Sequence, residues 1–510
     1  MASTANTVTH AGLNGHAENY ESNNGTPSTP SKEQMRSIRS GTNKYKHTFA
    51  VHVESRASCL SPDSPTPLSF IGFRNLMALA LIGSNLRLMI ENFRKYGLLV
   101  TLSGAEVPQQ DWRWTWILFA LTPCHLFLAY LIEAAAARYA QSVVATSKKH
   151  DEHKEQARAR PHKKEYFSTW RMIAFCHASN ATFMLVFATH TVYYRMHNPG
   201  LGAFAELHAV IVWLKVCSYA FTNRDLCHAF VNPDPAGHAL PGLYKSCPYP
   251  RNVTLRNLCY FWLAPTLVYQ PVYPRTNKIR WDFVAKRLGE IFLLSVVVWL
   301  ACAQYAVPLL QNSLDDISNL NLVNMLERTL KLSTISLVCW LAGFFALFQS
   351  FLNLLAELMY FGDREFYSDW WNSSDLRGYW VSWNKPVTHH LARHIYSPMV
   401  GRGVPRPVAQ FITFVFSGIL HELLIGIPTH NILGVAFFGM ISQIPLIYLT
   451  DFLSKMKGQN GKLLGNCVFW VSFCLFGQPI AALAYFFAWQ AKFGTNNRPE
   501  WPVAWGDGKS

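Results

Sequence analysis

The sequence predicts an all-α polytopic membrane protein with about nine transmembrane helices. Three observations predict it. Half of the 510 residues are hydrophobic and only 15% are charged, against about 25% in soluble domains. Nine stretches approach or exceed the ~20 apolar residues with which a helix crosses a bilayer. The Lys and Arg residues behind the net charge of +15 gather in the connections between those stretches, as positive-inside topology requires. A nucleic-acid binder would instead concentrate its charge in one basic domain. The expected partner is the bilayer with its anionic headgroups, not nucleic acid.

Taken in order, residues 1–65 form a leader rich in Ser, Thr, Asn, Gly and Pro. It lacks the apolar area that offsets chain entropy, so disorder is expected over most of it. Its end, "HVESRASCLSPDSP", carries some apolar residues and is expected to dock. Residues 66–495 form the membrane domain and 496–510 a short tail. The spans are expected at 74–95, 114–142, 169–193, 202–223, 283–310, 333–361, 406–428, 431–452 and 464–490. The loop "SKKHDEHKEQARARPHKKE" carries seven Lys and Arg against four Asp and Glu, and 311–332 leans acidic. That alternation predicts a cytosolic N-terminus, a lumenal C-terminus and a cytosolic 362–404 segment. Targeting is expected from the first internal span. No internal repeat is visible, so an inverted-repeat transporter has no support.

Two stretches break the pattern. "TLRNLCYFWLAPTLVYQPVYPR" (254–275) is too interrupted by Pro to span, and reads as interfacial or re-entrant. "VTHHLARHIYSPMV" places Val387, Leu391, Ile395 and Met399 at fourfold spacing and reads as an amphipathic helix lying on the cytosolic surface. The eleven Cys include no C-x-x-C pair and lie mostly in apolar runs, where they read as small buried hydrophobes. Neither a metal site nor a disulfide framework is expected.

Between two apolar runs stands "FGDREFYSDWWNSSDLRGYWVSWNKP". It places five Trp and Tyr within the fourteen residues from Tyr367 to Trp380, far more than a plain loop needs. Further on, His421 lies in "QFITFVFSGILHELLIGIP" beside Glu422. An ionisable residue inside a span costs ~2–3 kcal/mol or more and suggests function. Interhelical glue explains such a residue equally well when it is taken alone. A neutral imidazole suits a general base near neutral pH. Asn75, Asn85, Arg87, Glu91, His177, Ser179 and Asn180 read as packing polars. Gln443 and Gln478 each sit in an apolar run with a Pro one or two residues on; the Pro opens the helix and leaves room for a ligand beside the amide.

Several machineries are missing. There is no G-x-S-x-G elbow, no His followed five residues on by Asp, no P-loop and no H-E-x-x-H. Chemistry without an enzyme nucleophile fits better, such as attack of an alcohol on an activated thioester with His as base.

"FYSDWWN" (Phe366 to Asn372), "SWNKPV" and "ILHELL" resemble, in order, the signatures of the acyl-CoA:sterol and acyl-CoA:diacylglycerol acyltransferases. These form a branch of the membrane-bound O-acyltransferase superfamily. "IGSNLRLMIENFRKYG", "YPRNVTLRNLCYFWLAPTLVYQPVYPRT", "SQIPL" and "GQPIA" extend the resemblance over about residues 50–490. It implies the superfamily's fold, with the helices around a catalytic tunnel and His421 as base. Asn384 would orient the His or stabilise the developing oxyanion. The aromatic-polar segment would be the acyl-CoA-proximal element, with Phe366, Tyr367, Asp369, Trp370, Trp371, Asn372, Trp383 and Lys385 in contact with acyl-CoA. Arg364, Arg393, Arg402 and Arg406 lie nearby and could meet the coenzyme A phosphates, although ordinary positive-inside charge is the better explanation for each one singly. Gln443, Gln478, Glu422 and Met440 would line the substrate pocket.

Within the branch, Pro386 and the "QIPL" and "GQPIA" runs resemble the diacylglycerol enzymes. Thr388 departs from the His of their pattern, and Leu423 from the Tyr common after His-Glu. The resemblance implies an endoplasmic-reticulum enzyme that makes triacylglycerol from acyl-CoA and diacylglycerol. Acyl-CoA is a substrate, and no cofactor or metal is implied. It also implies a homodimer or higher homo-oligomer, with the end of the leader reaching a neighbour. A sterol acceptor is the same-class alternative; a transporter or receptor is the different-class one.

Overall fold

In the computed structural model the described residues are 47, 50–61, 68–93, 107–151, 159–233, 240–306, 309–310, 322–455 and 459–493. The expectations for 1–46, for 311–321 and for the tail 496–510 lie outside them, as do the side chains of Asn85, Arg87 and Glu91.

Among the described residues the architecture is all-helical, with one isolated antiparallel bridge, Arg275 to Phe361. The apolar runs set the long helices: α1 (Ile71–Phe93), α2 (Gln109–Asp151), α3 (Ala159–Arg195) and α4 (Pro199–Val231). A short α5 (Leu255–Leu263) follows, then α6 (Trp281–Leu300), which continues as a π turn, Ala301–Ala306. Next come α7 (Leu322–Phe344), a second π turn (Phe345–Phe351) and α8 (Leu352–Leu358). Seven helical stretches among the described residues are long and apolar enough to cross a membrane, and they coincide with seven of the nine expected spans. The other two are α1, whose described apolar stretch is Ile71–Leu81, and α6, which carries Lys286, Arg287 and Glu290 in its first half. Apolar side chains face outward, including Phe175, Phe183, Phe292 and Phe438, as the hydrocarbon of a bilayer requires. The chain is a multi-pass membrane protein.

The 254–275 stretch does not span. After nine helical residues it runs irregular and buried, with Val268, Tyr269 and Gln270 out of contact with solvent. Lys215 of α4 explains how α5 ends there. Its buried Nζ donates to the carbonyls of Phe261, Trp262 and Ala264 at 2.8, 3.0 and 2.8 Å, which satisfies the open acceptors of a helix C-terminus.

The segment before α1 is a strap on its own chain. The backbone N–H of His52 donates to Gln270, its Nδ1 pairs with Asp363, and its Nε2 lies 2.8 Å from Thr266 Oγ1. Arg56 bridges Asp363 and Glu365. Burial alone would raise the Asp363 carboxyl. The His52 hydrogen bond and charge, with Arg56, outweigh it and hold the carboxyl below its usual range.

The 362–404 segment closes the fold with a Trp370–Asn372 turn, α9 (Leu376–Ser382), α10 (Lys385–Leu391), a π turn (Ala392–Tyr396) and α11 (Ser397–Val400). The expected surface helix over 387–399 is not on the surface. His390, Arg393 and His394 are buried, because the strap and the irregular stretch cover their face. Arg393 donates to the carbonyls of His47 and Tyr269, and His390 Nδ1 bonds Leu267 O at 3.0 Å. The last helices are α12 (Arg406–Gly426), α13 (Val435–Ile441), α14 (Gln443–Ser454), α15 (Gln459–Val471) with a π turn Ser472–Gly477, and α16 (Gln478–Phe493).

Candidate active site

The site is built on α12. Its apolar sequence makes it a span, and Pro407 in the first turn suits a position whose N–H has no partner inside the helix. On this background Gln410, Thr413, Ser417 and His421 recur three or four residues apart and form one polar stripe. All four line a single cavity of about 610 Å³, within the ~300–1,000 Å³ range of small-molecule sites. From Gln410 to His421 the stripe runs eleven residues, or ~16 Å along the helix.

His421 Nδ1 lies 2.8 Å from the carbonyl of Ser417, one turn back. A carbonyl can only accept, so Nδ1 carries the proton and donates it. The neutral ring then holds its lone pair on Nε2. The helix itself thereby selects the tautomer in which Nε2 is the basic nitrogen.

Asn384 lines the same cavity. It caps α10, its Oδ1 accepting from Val387 N at 3.2 Å, with Pro386 in the first turn. With Oδ1 engaged, the NH₂ is the group Asn384 can offer to a ligand. Trp380, Trp383, Trp340, Phe344 and Phe348 supply its aromatic lining, Val210, Leu214, Leu420 and Leu424 an aliphatic one, and Met440 and Ile447 line it as well.

Trp370 and Trp371 are fully buried, and Phe366 and Tyr367 nearly so. None of them lines the cavity. They hold other parts in place. Trp371 Nε1 donates to Ser69 O at 3.0 Å, and Asn372 Oδ1 accepts from Gly72 N at 2.6 Å. Gly72 approaches so closely that a Cβ there would stand 1.5 Å from Trp371 O. Asn466 of α15 donates to Trp371 O and Ser373 O. Tyr367 OH donates to Gln349 at 2.7 Å. The segment therefore ties α1, α7–α8 and α15 together. It also braces the Asn384 corner, since Lys385 N donates to Phe366 O and Ser368 N to Ser382 O. Asp369 is part of this knot and accepts from Asn372.

Among the cations, Arg364 pairs with Glu357, Lys385 with Glu365, and Arg393 is buried on backbone carbonyls. Arg402 and Arg406 are exposed.

Three expected pocket residues sit elsewhere. The carboxylate of Glu422 accepts from Tyr485 OH at 2.6 Å and from the N–H groups of Gly434 and Phe437; it fastens α12 to α13 and α16. Gln443 donates to Gly439 O of the preceding turn. Gln478 opens α16, half-buried. Neither Gln is among the lining residues, whereas Met440 and Thr388 are. Thr413, Ser417 and Tyr396 line the cavity without having been singled out. The stripe on α12 was the sequence signal for the first two.

The membrane-bound O-acyltransferase family matches the chain over residues 165–487. Diacylglycerol O-acyltransferase 1C of Glycine max is 34% identical over 475 residues, 93% of this chain and 86% of the relative. Diacylglycerol O-acyltransferase 1A of the same plant is 35% identical over 449 residues, covering 87% and 82%. Diacylglycerol O-acyltransferase 1 of Corylus americana is 36% identical over 445 residues, covering 87% and 76%. An apolar cavity inside a multi-pass helical chain is in keeping with that family. The chain is an acyltransferase and belongs to the membrane-bound O-acyltransferase family.

Proposed function

We propose that the chain transfers an acyl group from acyl-CoA to diacylglycerol, producing triacylglycerol and free coenzyme A. The observation that carries the reading is His421, with Nδ1 committed to Ser417 O and Nε2 left basic, in the wall of an apolar cavity. Nε2 takes the proton from the diglyceride hydroxyl. The alkoxide oxygen forms its bond to the thioester carbonyl carbon, and the NH₂ of Asn384 stabilises the oxyanion. The C–S bond breaks as the carbonyl reforms, and the coenzyme A thiolate takes the proton back from the imidazolium. No enzyme nucleophile and no cofactor enters the balance.

The acyl chain lies against the aromatic and aliphatic walls. Trp383, Asn384 and Lys385 stand at the corner nearest the thioester, and the buried Phe366–Asn372 knot holds that corner. The loop charges support a cytosolic 362–404 segment, and the family resemblance an endoplasmic-reticulum membrane, so acyl-CoA approaches from the cytosol, with exposed Arg402 and Arg406 to meet its phosphates. A homodimer is part of this reading.

The test is an alcohol competition with labelled oleoyl-CoA and equal diacylglycerol and sterol in microsomes. Label in triacylglycerol is the expected result. Label mainly in steryl ester overturns the diglyceride reading, and no thioester turnover overturns transfer altogether.

A further inference from the structure

The cavity has an opening that the mechanism does not use. Arg377 and Val381 of α9 belong to its lining, yet the Arg377 side chain is 46% exposed and Val381 is 55% exposed. The cavity therefore reaches the outside of the helix bundle between α9, α12 and α14. The flanks there are apolar and outward-facing: Phe411 and Ile412 on α12, Leu449 and Phe452 on α14. Such flanks face lipid, not water.

Across this opening lies one polar group of three. Arg377 Nε and Nη2 donate to Asp451 Oδ2 at 3.0 and 2.7 Å, and Nη1 donates to Gln410 Oε1 at 3.2 Å. Gln410 is the first residue of the polar stripe that ends at His421. The trio thus stands on the cavity rim beside lipid-facing side chains, and through Gln410 it joins the polar stripe inside.

We propose that Arg377, Asp451 and Gln410 form the recognition point at which the acceptor lipid enters, and that they select a neutral glyceride. The proposal rests on the diacylglycerol reading given above. The chemistry is complementary. A diglyceride headgroup offers two ester carbonyls, which accept from the guanidinium and the Gln410 amide, and one hydroxyl, which donates to the Asp451 carboxylate. The pair is neutral overall. A phosphate-bearing lipid would meet the Asp451 charge as well as Arg377, and a sterol has a single hydroxyl for three partners. From this point the polar stripe leads the hydroxyl toward His421.

The experiment measures KM separately for diacylglycerol and for acyl-CoA in mixed micelles, with and without phosphatidate. Wild type comes first: if it turns over no diglyceride, the function reading itself falls before any variant is compared. Arg377→Leu and Asp451→Asn are expected to raise KM for diacylglycerol roughly fivefold to thirtyfold, the size of one charge-assisted hydrogen bond at a half-exposed site. KM for acyl-CoA should stay within about twofold. Asp451→Asn leaves an unbalanced cation, so phosphatidate should inhibit that variant and not wild type. The exchange Arg377→Asp with Asp451→Arg should recover the diglyceride KM, which keeps the test readable if one single variant folds poorly. A rise in the acyl-CoA KM alone would assign the opening to the thioester and overturn the proposal. Unchanged constants in all variants would reduce the trio to a surface ion pair and overturn it equally.

Discussion

Gly343 of α7 lines the cavity, and a Cβ built on it meets nothing within 4 Å. Gly343→Leu therefore adds four carbon atoms, starting from a Cβ that meets no protein atom, at a wall that the acyl chain would contact. The helix gains from the change, since Gly costs about 1 kcal/mol in a helix interior. Loss of folding is thus not the expected outcome. Each methylene removed from burial costs about 0.8 kcal/mol, so excluding about four weakens transition-state binding by ~3 kcal/mol, or roughly a hundredfold in kcat/KM. Only acyl chains long enough to reach Gly343 should feel it. The assay compares octanoyl-CoA with oleoyl-CoA in both enzymes. A loss for oleoyl-CoA with octanoyl-CoA nearly unchanged is expected. Gly289→Leu on α6 is the matched control, because Gly289 also has open space around it but does not line the cavity. Equal losses for both thioesters, or an equal effect of Gly289→Leu, would refute the placement of the acyl chain.

Two further outcomes follow from the same contacts. Gly72→Ala forces a Cβ to 1.5 Å from Trp371 O and pulls apart the Gly72–Asn372 and Trp371–Ser69 hydrogen bonds at ~1–3 kcal/mol each; a clear drop in melting temperature is expected against Gly83→Ala, where the Cβ is free, and equal melting would remove the knot's structural role. The strap should loosen in mild acid. Burial first, then Arg224 and Arg393, with Arg402 and His390 beyond them, lower the His47 pKa to about 2, whereas a released His titrates near ~6.5. Docked His47 thus binds fewer protons below that value. Its contribution is complete above about pH 6.5 and falls by ~1.4 kcal/mol per unit below it, or ~2 kcal/mol at about pH 5. Asp363, held low, stays ionised in this window. Hydrogen exchange in 50–61, corrected for intrinsic rates, should lose protection between about pH 7.5 and pH 5; constant protection would contradict the buried neutral His47.

Much of the fold was legible because lipid imposes a strong constraint: seven of the nine expected spans are apolar helices here. The amphipathic reading of 387–399 failed for a physical reason. Periodicity shows which face is apolar, but not that a strap 346 residues away in sequence will cover the polar one. His47 O reaching Arg393 is invisible to local pattern. His421 was legible as a lone imidazole in an apolar run, and Asn384 through the motif that carries it. Glu422, in the same run, turned out to bind Tyr485 and two backbone N–H groups, since a helix sends adjacent residues to different neighbours. The density of Trp and Tyr marked an important segment. What the density could not reveal is that burial inside the protein, not an open face for a ligand, is how those rings hold Asn384 in place.

The central claim is that Nε2 of His421 removes the acceptor's proton. The most direct test is the turnover of His421→Ala, measured on protein that melts and migrates like wild type, with oleoyl-CoA and diacylglycerol both saturating. A general base contributes ~10²–10⁴-fold, so kcat should fall by that factor. A kcat within a few-fold of wild type would contradict the account.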